Sequence, residues 1–211
     1  MIHLYGLIIG IAIIIGINYF TKHQNFIPKN KETGFILGLL LFAILGARLY
    51  HVFDQWNYYS QNLSQIPATW NGGLGIYGAI LGSLFFIFLY SFSNKISILK
   101  ITDSIAPILP LCQSFGRLGN FVNNEIPFWW LEAILNLILF FIIKSKTLKH
   151  YSSTALYLAG YGLIRFIFEF FRHDTWTING IKIAQLISVI SFILGLILIN
   201  HEKIKIIQKH N

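Results

Sequence analysis

Four arginines stand out among sixteen basic residues: Arg48, Arg117, Arg165 and Arg172. A guanidinium is a rigid planar fork that grips phosphate or carboxylate through paired N–H donors, whereas a lysine ammonium is only a point charge. Arg48, Arg117 and Arg165 fall inside long apolar stretches, where a charge is costly and marks an ion pair or a functional site. Arg117 and Asn120 are three residues apart in GRLGNFVNNE (116–125) and share a helical face, with Gly116 and Gly119 leaving room for a close approach and Asn123, Asn124 and Glu125 beyond. In GYGLIRFIFEFFRHD (160–174), Tyr161, Arg165, Glu169 and Arg172 follow one another at i, i+4, i+8 and i+11 along one stripe. Two chemistries fit such a set. The arginines bind the phosphate of an anionic lipid headgroup, or they pair internally with Glu125, Glu132 and Glu169. Their distribution, set out below, favours phosphate.

The other polar candidates are less distinctive. Tyr77 opens a hydrophobic run behind the glycine-rich WNGGLGIYGAILG (70–82), and His3, Tyr5 and His51 lie near ends of apolar runs, where interfacial aromatic residues are common. Cys112 is the sole cysteine, so no intrachain disulfide is expected, and it reads as a small packing residue. The seven histidines show no H-E-x-x-H or Cys/His spacing, so no metal and no cofactor are expected.

The elements that must hold these residues are membrane helices. The 211-residue chain is 55% hydrophobic and 11% charged, against roughly 25% charged in soluble domains. It reads as an all-α polytopic membrane protein, a single domain over 1–211. About seven transmembrane helices are expected, near 3–20, 34–53, 75–92, 102–121, 127–143, 152–171 and 182–200. The fourth is interrupted by Asp103, Pro107, Pro110 and Gln113 and could instead be one re-entrant element. No positive charge precedes the first apolar run, so it is expected to be a retained span and not a cleaved leader. Loop 54–74 carries Trp56, Tyr58, Tyr59 and Trp70 but no cation, and reads as an outer arm lying on headgroups.

Lysine placement orients the helices. Segments 21–33, 93–101, 144–151 and 201–211 hold three, two, three and three lysines and no arginine, whereas 54–74 and 122–126 hold neither. By the positive-inside rule the lysine-bearing loops are cytoplasmic, which puts the N-terminus outside and the C-terminus inside. Most of the +8 net charge is thus topology, not a nucleic-acid surface. All four arginines then fall in the outer half of the membrane, with Arg165 roughly 9 Å below its boundary. Snorkelling alone would scatter arginines to both faces.

Taken in order, HLYGL (3–7), GARLYHV (46–52), WNGGLGIYGAILG (70–82), GRLGNFVNNE (116–125), LEAILN (131–136), GYGLIRFIFEFFRHD (160–174) and the region of Gln185 resemble the prolipoprotein diacylglyceryl transferase family. The resemblance covers most of the chain and implies a seven-span enzyme of the bacterial cytoplasmic membrane, with its active site toward the outer leaflet. It implies transfer of the diacylglyceryl group of phosphatidylglycerol to the lipobox cysteine of a preprolipoprotein signal peptide, with glycerol phosphate leaving. By motif position it gives roles to Tyr5, Arg117, Asn120, Glu125, Tyr161, Arg165, Glu169 and Arg172. Arg165 and Arg117 would stabilise charge on the leaving phosphate, while Asn120 and Tyr161 would hold headgroup oxygens. Arg48 joins the lipid-binding set by its depth.

This chain departs from the family at two places. Tyr77 stands where many members have histidine, which leaves the proton acceptor among His3, Tyr77, Glu169 and water. Asn124 replaces a usual glycine, Ile126-Pro127-Phe128 replaces another just after Glu125, and the stretch before LEA (131–133) is short, as in a member with a trimmed outer head. Two other classes compete: a lipid transporter or scramblase, which would spread charges over both leaflets, and a structural scaffold.

Overall fold

A computed structural model describes residues 4–122, 127–145, 151–172 and 175–210, without the side chains of Tyr5 and of 203–210. His3 and Asn123, Asn124 and Glu125 lie outside the described residues, as does the side chain of Tyr5. The chain is helical, in the order α1 (Leu4–His23), α2 (Lys29–Asp54), α3 (Trp56–Tyr59), α4 (Ile76–Asn94), α5 (Ile98–Ile105), α6 (Ile108–Val122), α7 (Trp129–Lys144), α8 (Ser153–Glu169), a two-strand hairpin β1 (Thr177–Ile178) and β2 (Ile181–Lys182), and α9 (Ile183–His210).

Apolar side chains face outward on a scale that water would not tolerate. On α4, Leu81, Phe85, Phe88 and Phe92 recur along one face and are each more than half exposed. Lipid is the solvent that such a face requires. Among the described residues, four helices are long and apolar enough to cross a membrane: Gly6–His23, Lys29–Asp54, Ile76–Asn94 and Ile183–Glu202. The protein is therefore an all-α, multi-pass membrane protein. Helices α6, α7 and α8 have 15, 16 and 17 residues, short of that length.

The expected fourth span is two helices. α5 ends at Ile105 and α6 begins at Ile108. Pro107 between them has no N–H to donate and biases Ala106 away from helical geometry, so the ladder breaks. Pro110, fully buried, lies in the first turn of α6, where a missing N–H costs no intrahelical bond.

The chain forms two compact units, Asn25–Ile101 and a larger one made of Met1–Gln24 with Thr102–Asn211. In the smaller unit α2 and α4 touch backbone to backbone. A Cβ on Gly46 would lie 2.3 Å from the carbonyl oxygen of Gly78, and one on Gly82 would lie 2.1 Å from that of Phe42. Small residues at such crossings are how membrane helices gain close packing without a hydrophobic drive. The larger unit uses the same device. A Cβ on Gly195 of α9 would meet the Ala159 backbone nitrogen of α8 at 2.4 Å, and Gly16 of α1 sits against Ile108 and Cys112 of α6. Cys112 packs as expected, its thiol donating to the Ala12 carbonyl at 3.3 Å.

At its N-terminus α8 is capped by carboxylates. Asp103 Oδ1 accepts from Ser152 Oγ at 2.5 Å, Thr154 N at 2.8 Å and Thr154 Oγ1 at 2.7 Å, while Glu202 Oε2 accepts from Ser152 N at 2.8 Å. These anions satisfy donors left over at a helix start and lie at the positive end of its dipole.

Candidate functional site

Within the larger unit, α6, α7 and α8 bring polar side chains together. Glu132, on the first turn of α7, has no exposed surface. Its Oε1 lies 2.9 Å from Arg117 Nη2 of α6, and its Oε2 lies 3.0 Å from Arg172 Nη2, just past the end of α8. Arg117 also donates from Nη1 to Asn120 Oδ1 at 2.8 Å, as the i,i+3 spacing on one face allows. On α8 the i,i+4 pair closes as well: Arg165 Nη2 lies 2.7 Å from Oε2 of fully buried Glu169. One turn below Arg117, Gln113 Nε2 donates to the Tyr157 hydroxyl at 2.9 Å, and the Tyr157 and Tyr161 rings stack at 5.4 Å. Asn136, wholly buried one turn along α7, donates to the Glu132 carbonyl at 2.9 Å.

The polar inventory of this centre is unbalanced. Among the described residues, three guanidiniums meet two carboxylates, leaving one formal positive charge before Lys182 is counted. Arg117 Nε, Arg165 Nη1 and Arg172 Nε are, among the described residues, buried N–H donors without an acceptor, and Glu169 Oε1, Gln113 Oε1 and Asn136 Oδ1 are buried acceptors without a donor. A buried donor left unmatched costs about 1–3 kcal/mol, more when charged. Burial, followed by repulsion from Arg165, lowers the pKa of Arg172 from its ordinary value, while Glu132 acts in the opposite sense. Three unmatched guanidinium donors and a surplus positive charge suit an acceptor-rich anion.

The internal pairing weighed from sequence is present, through Glu132 and Glu169, and it occupies only part of each guanidinium. It braces the arginines and leaves their remaining donors over. Glu132 is the residue that sequence reasoning undervalued. It sits in an apolar run, WWLEAILN, and a carboxylate there is as costly as an arginine, which was the available signal.

Arg48 belongs to the smaller unit and is engaged differently. Its Nε donates to the Ile66 carbonyl at 2.8 Å, Nη1 to Gly72 and Gly73 at 2.7 and 3.1 Å, and Nη2 to Gln65 at 2.6 Å. Its guanidinium also lies 5.2 Å from the Tyr59 ring centroid. The arm that follows α2 is thus folded over Arg48 in short helical turns, enclosing a cavity of about 170 Å³ lined by His51, Tyr58 and Asn71 among others. Gly72 and Gly73 make this possible with φ of 84° and 70°, which side chains resist. Tyr77, also in the smaller unit, is half-buried on the first turn of α4, its ring 6.2 Å from that of Tyr50. Among the described residues no group of His, Cys, Asp and Glu could hold a metal ion.

Lipid-exposed helices around a buried guanidinium–carboxylate centre define a membrane protein with a charged polar core. The family follows from comparison with known proteins. The chain belongs to the prolipoprotein diacylglyceryl transferase family, whose model matches residues 1–129 and 126–201. Three relatives named phosphatidylglycerol–prolipoprotein diacylglyceryl transferase illustrate the likeness. The one from Streptococcus uberis is 31% identical over 94% of this chain and 90% of its own length. That from Clostridium novyi is 33% identical over 95% and 91%, and that from Lactococcus lactis subsp. cremoris 34% over 84% and 82%. The family match breaks and resumes at 126–129, the stretch that reads as shortened in the sequence.

Proposed function

We propose that this protein transfers the diacylglyceryl group of phosphatidylglycerol to the lipobox cysteine of preprolipoproteins, in the bacterial cytoplasmic membrane. Family membership supports the activity. The observation that carries the site is the set of buried, unmatched N–H donors on Arg117, Arg165 and Arg172 beside one surplus positive charge. A phosphodiester brings one negative charge and oxygen acceptors only.

In the proposed reaction the cysteine sulfur attacks the glycerol carbon that bears the phosphate. A C–S bond forms, the C–O bond breaks, and the electron pair leaves on glycerol phosphate while the thiol proton passes to a base. Negative charge grows on the phosphate oxygens, so donors already fixed in place act where the charge develops. Arg165, Arg117 and Arg172 fill that role. Asn120 orients Arg117, and Tyr161 lines the headgroup side; Tyr5 and Glu125 join the lipid-binding set by motif position. Tyr77 and Glu169 are the candidate proton acceptors, Glu169 because Oε1 has no donor among the described residues. Arg48, four of its five N–H donors taken by carbonyls, shapes the outer arm in this reading and does not grip phosphate.

The proposed topology has seven spans, α1, α2, α4, α6, α7, α8 and α9, with the N-terminus outside and the C-terminus in the cytoplasm. The lysine distribution supports it. Helices of 15 to 17 residues reach roughly 22–26 Å at 1.5 Å per residue, sufficient where polar side chains at the outer end draw water inward.

The test is mass spectrometry of a lipobox peptide incubated with purified protein and phosphatidylglycerol. A diacylglyceryl thioether is expected, lost in Arg165→Ala and Arg117→Ala and kept in Lys203→Ala. Folded protein that yields no thioether would overturn the proposal.

A further inference from the structure

The end of α8 carries Glu169 and, three residues on, Arg172, and something must hold that end in place. The last carbonyls of any helix lack intrahelical partners, and at the edge of a membrane an unsatisfied carbonyl is costly. Beyond Ile167 the chain tightens into three-residue turns. Phe170 N bonds the Ile167 carbonyl at 3.3 Å, Phe171 N that of Phe168 at 3.2 Å, and Arg172 N that of Glu169 at 3.3 Å, all long. Regular backbone bonding is therefore weak where the two side chains most need fixing.

The hairpin supplies the missing restraint. Asn179 and Gly180 have φ of 50° and 80°, the paired positive values of a tight two-residue hairpin turn. They set the register that places Thr177 opposite Lys182, and Ile183 N closes the hairpin's base on the Trp176 carbonyl at 3.0 Å. From β2, Lys182 Nζ donates to the Glu169 carbonyl at 2.7 Å and also to the Arg172 carbonyl. One ammonium thus ties together the backbones of the residue that pairs with Arg165 and the residue that reaches Glu132. A cation at a helix C-terminus is also favoured by the helix dipole.

We infer that Lys182 is a positioning residue: by bridging the carbonyls of Glu169 and Arg172 it fixes the end of α8, so that Arg172 reaches Glu132 and Glu169 holds Arg165. Lys182 acts through those residues and makes no contact with the reacting atoms. Its effect on turnover rests on the transferase reading; its clamp on the backbone does not.

The experiment uses full-length protein in phosphatidylcholine nanodiscs, with hydrogen–deuterium exchange of the peptide spanning 166–172 and, in parallel, transfer kinetics. In Lys182→Met, exchange at 170–172 is expected to quicken at least about tenfold, the size of one of the two charge-assisted hydrogen bonds lost. kcat should fall while KM for phosphatidylglycerol changes little, and Lys182→Arg, able to bridge two carbonyls, should recover most of both. Unchanged exchange in Lys182→Met overturns the inference whether or not the wild type transfers lipid. Quickened exchange with an unchanged kcat overturns it equally. A wild type without transferase activity overturns the proposed reaction, and exchange alone then decides the clamp. Should Lys182→Met fail to fold, Lys182→Gln is measured in its place under the same criteria.

Discussion

Replacing Glu132 by glutamine tests the centre at its most connected point. The side chain is fully buried and its two oxygens hold Arg117 at 2.9 Å and Arg172 at 3.0 Å. Glutamine keeps the shape and one acceptor, but presents an amide N–H₂ to the second guanidinium. Each charge-assisted contact contributes about 1.5–3 kcal/mol, and removing one partner of a buried ionic set costs about 3–5 kcal/mol. If roughly 3 kcal/mol of that reflects arginines no longer aimed at the leaving phosphate, turnover falls about a hundredfold. Binding should move the other way. The formal charge of the three arginines and two glutamates rises from +1 to +2, so KM for phosphatidylglycerol holds or drops. The assay is thioether formation against lipid concentration, in detergent–lipid micelles, on protein that elutes as the wild type does. A kcat within about threefold of the wild type would refute the bracing role assigned to Glu132.

The remaining predictions concern single positions. Gly116 stands beside Arg117, and a Cβ there would meet nothing within 4 Å. Gly116→Ala should therefore raise Tm by about 2–4 °C, the gain in helix propensity for a chain of this size, with activity kept. A lowered Tm in Gly116→Ala would mean the position is packed after all. Arg48→Lys cannot reproduce four directed donations, so the segment 61–74 should become readily cleaved in limited proteolysis, and undiminished protection would remove Arg48 from its proposed role in shaping the arm. Tyr77→Phe should lower kcat by about a hundredfold or more if Tyr77, as its phenolate, accepts the thiol proton; a near-normal rate excludes it and leaves His3, Glu169 and water.

Much of this molecule follows from local sequence. Apolar runs about as long as a bilayer needs, eleven of the twelve lysines in alternate segments, and Arg165 four residues before Glu169 are one-dimensional patterns, and periodicity converts them directly into helices and an i,i+4 pair. The break between α5 and α6 was legible in the same way, since Pro107 acts on its immediate neighbour. The hairpin went unread, although Asn179-Gly180 between Ile178 and Ile181 is a short-range turn signal, because the transmembrane pattern around it obscures it.

What the sequence left open was partnership across helices. Arg117 and Arg165 were marked as costly charges, but nothing in their spacing says that Glu132, fifteen residues from the first on another helix, meets Arg117 and Arg172 at once. Nor does Arg48 differ in kind from Arg117 until the arm folds over it and four backbone carbonyls take its donors. A guanidinium's role depends on which acceptors the fold brings within about 3 Å. Composition and period fix where a charge lies along its helix and how deep; only packing between helices decides whether its donors are used by the protein or left for a substrate.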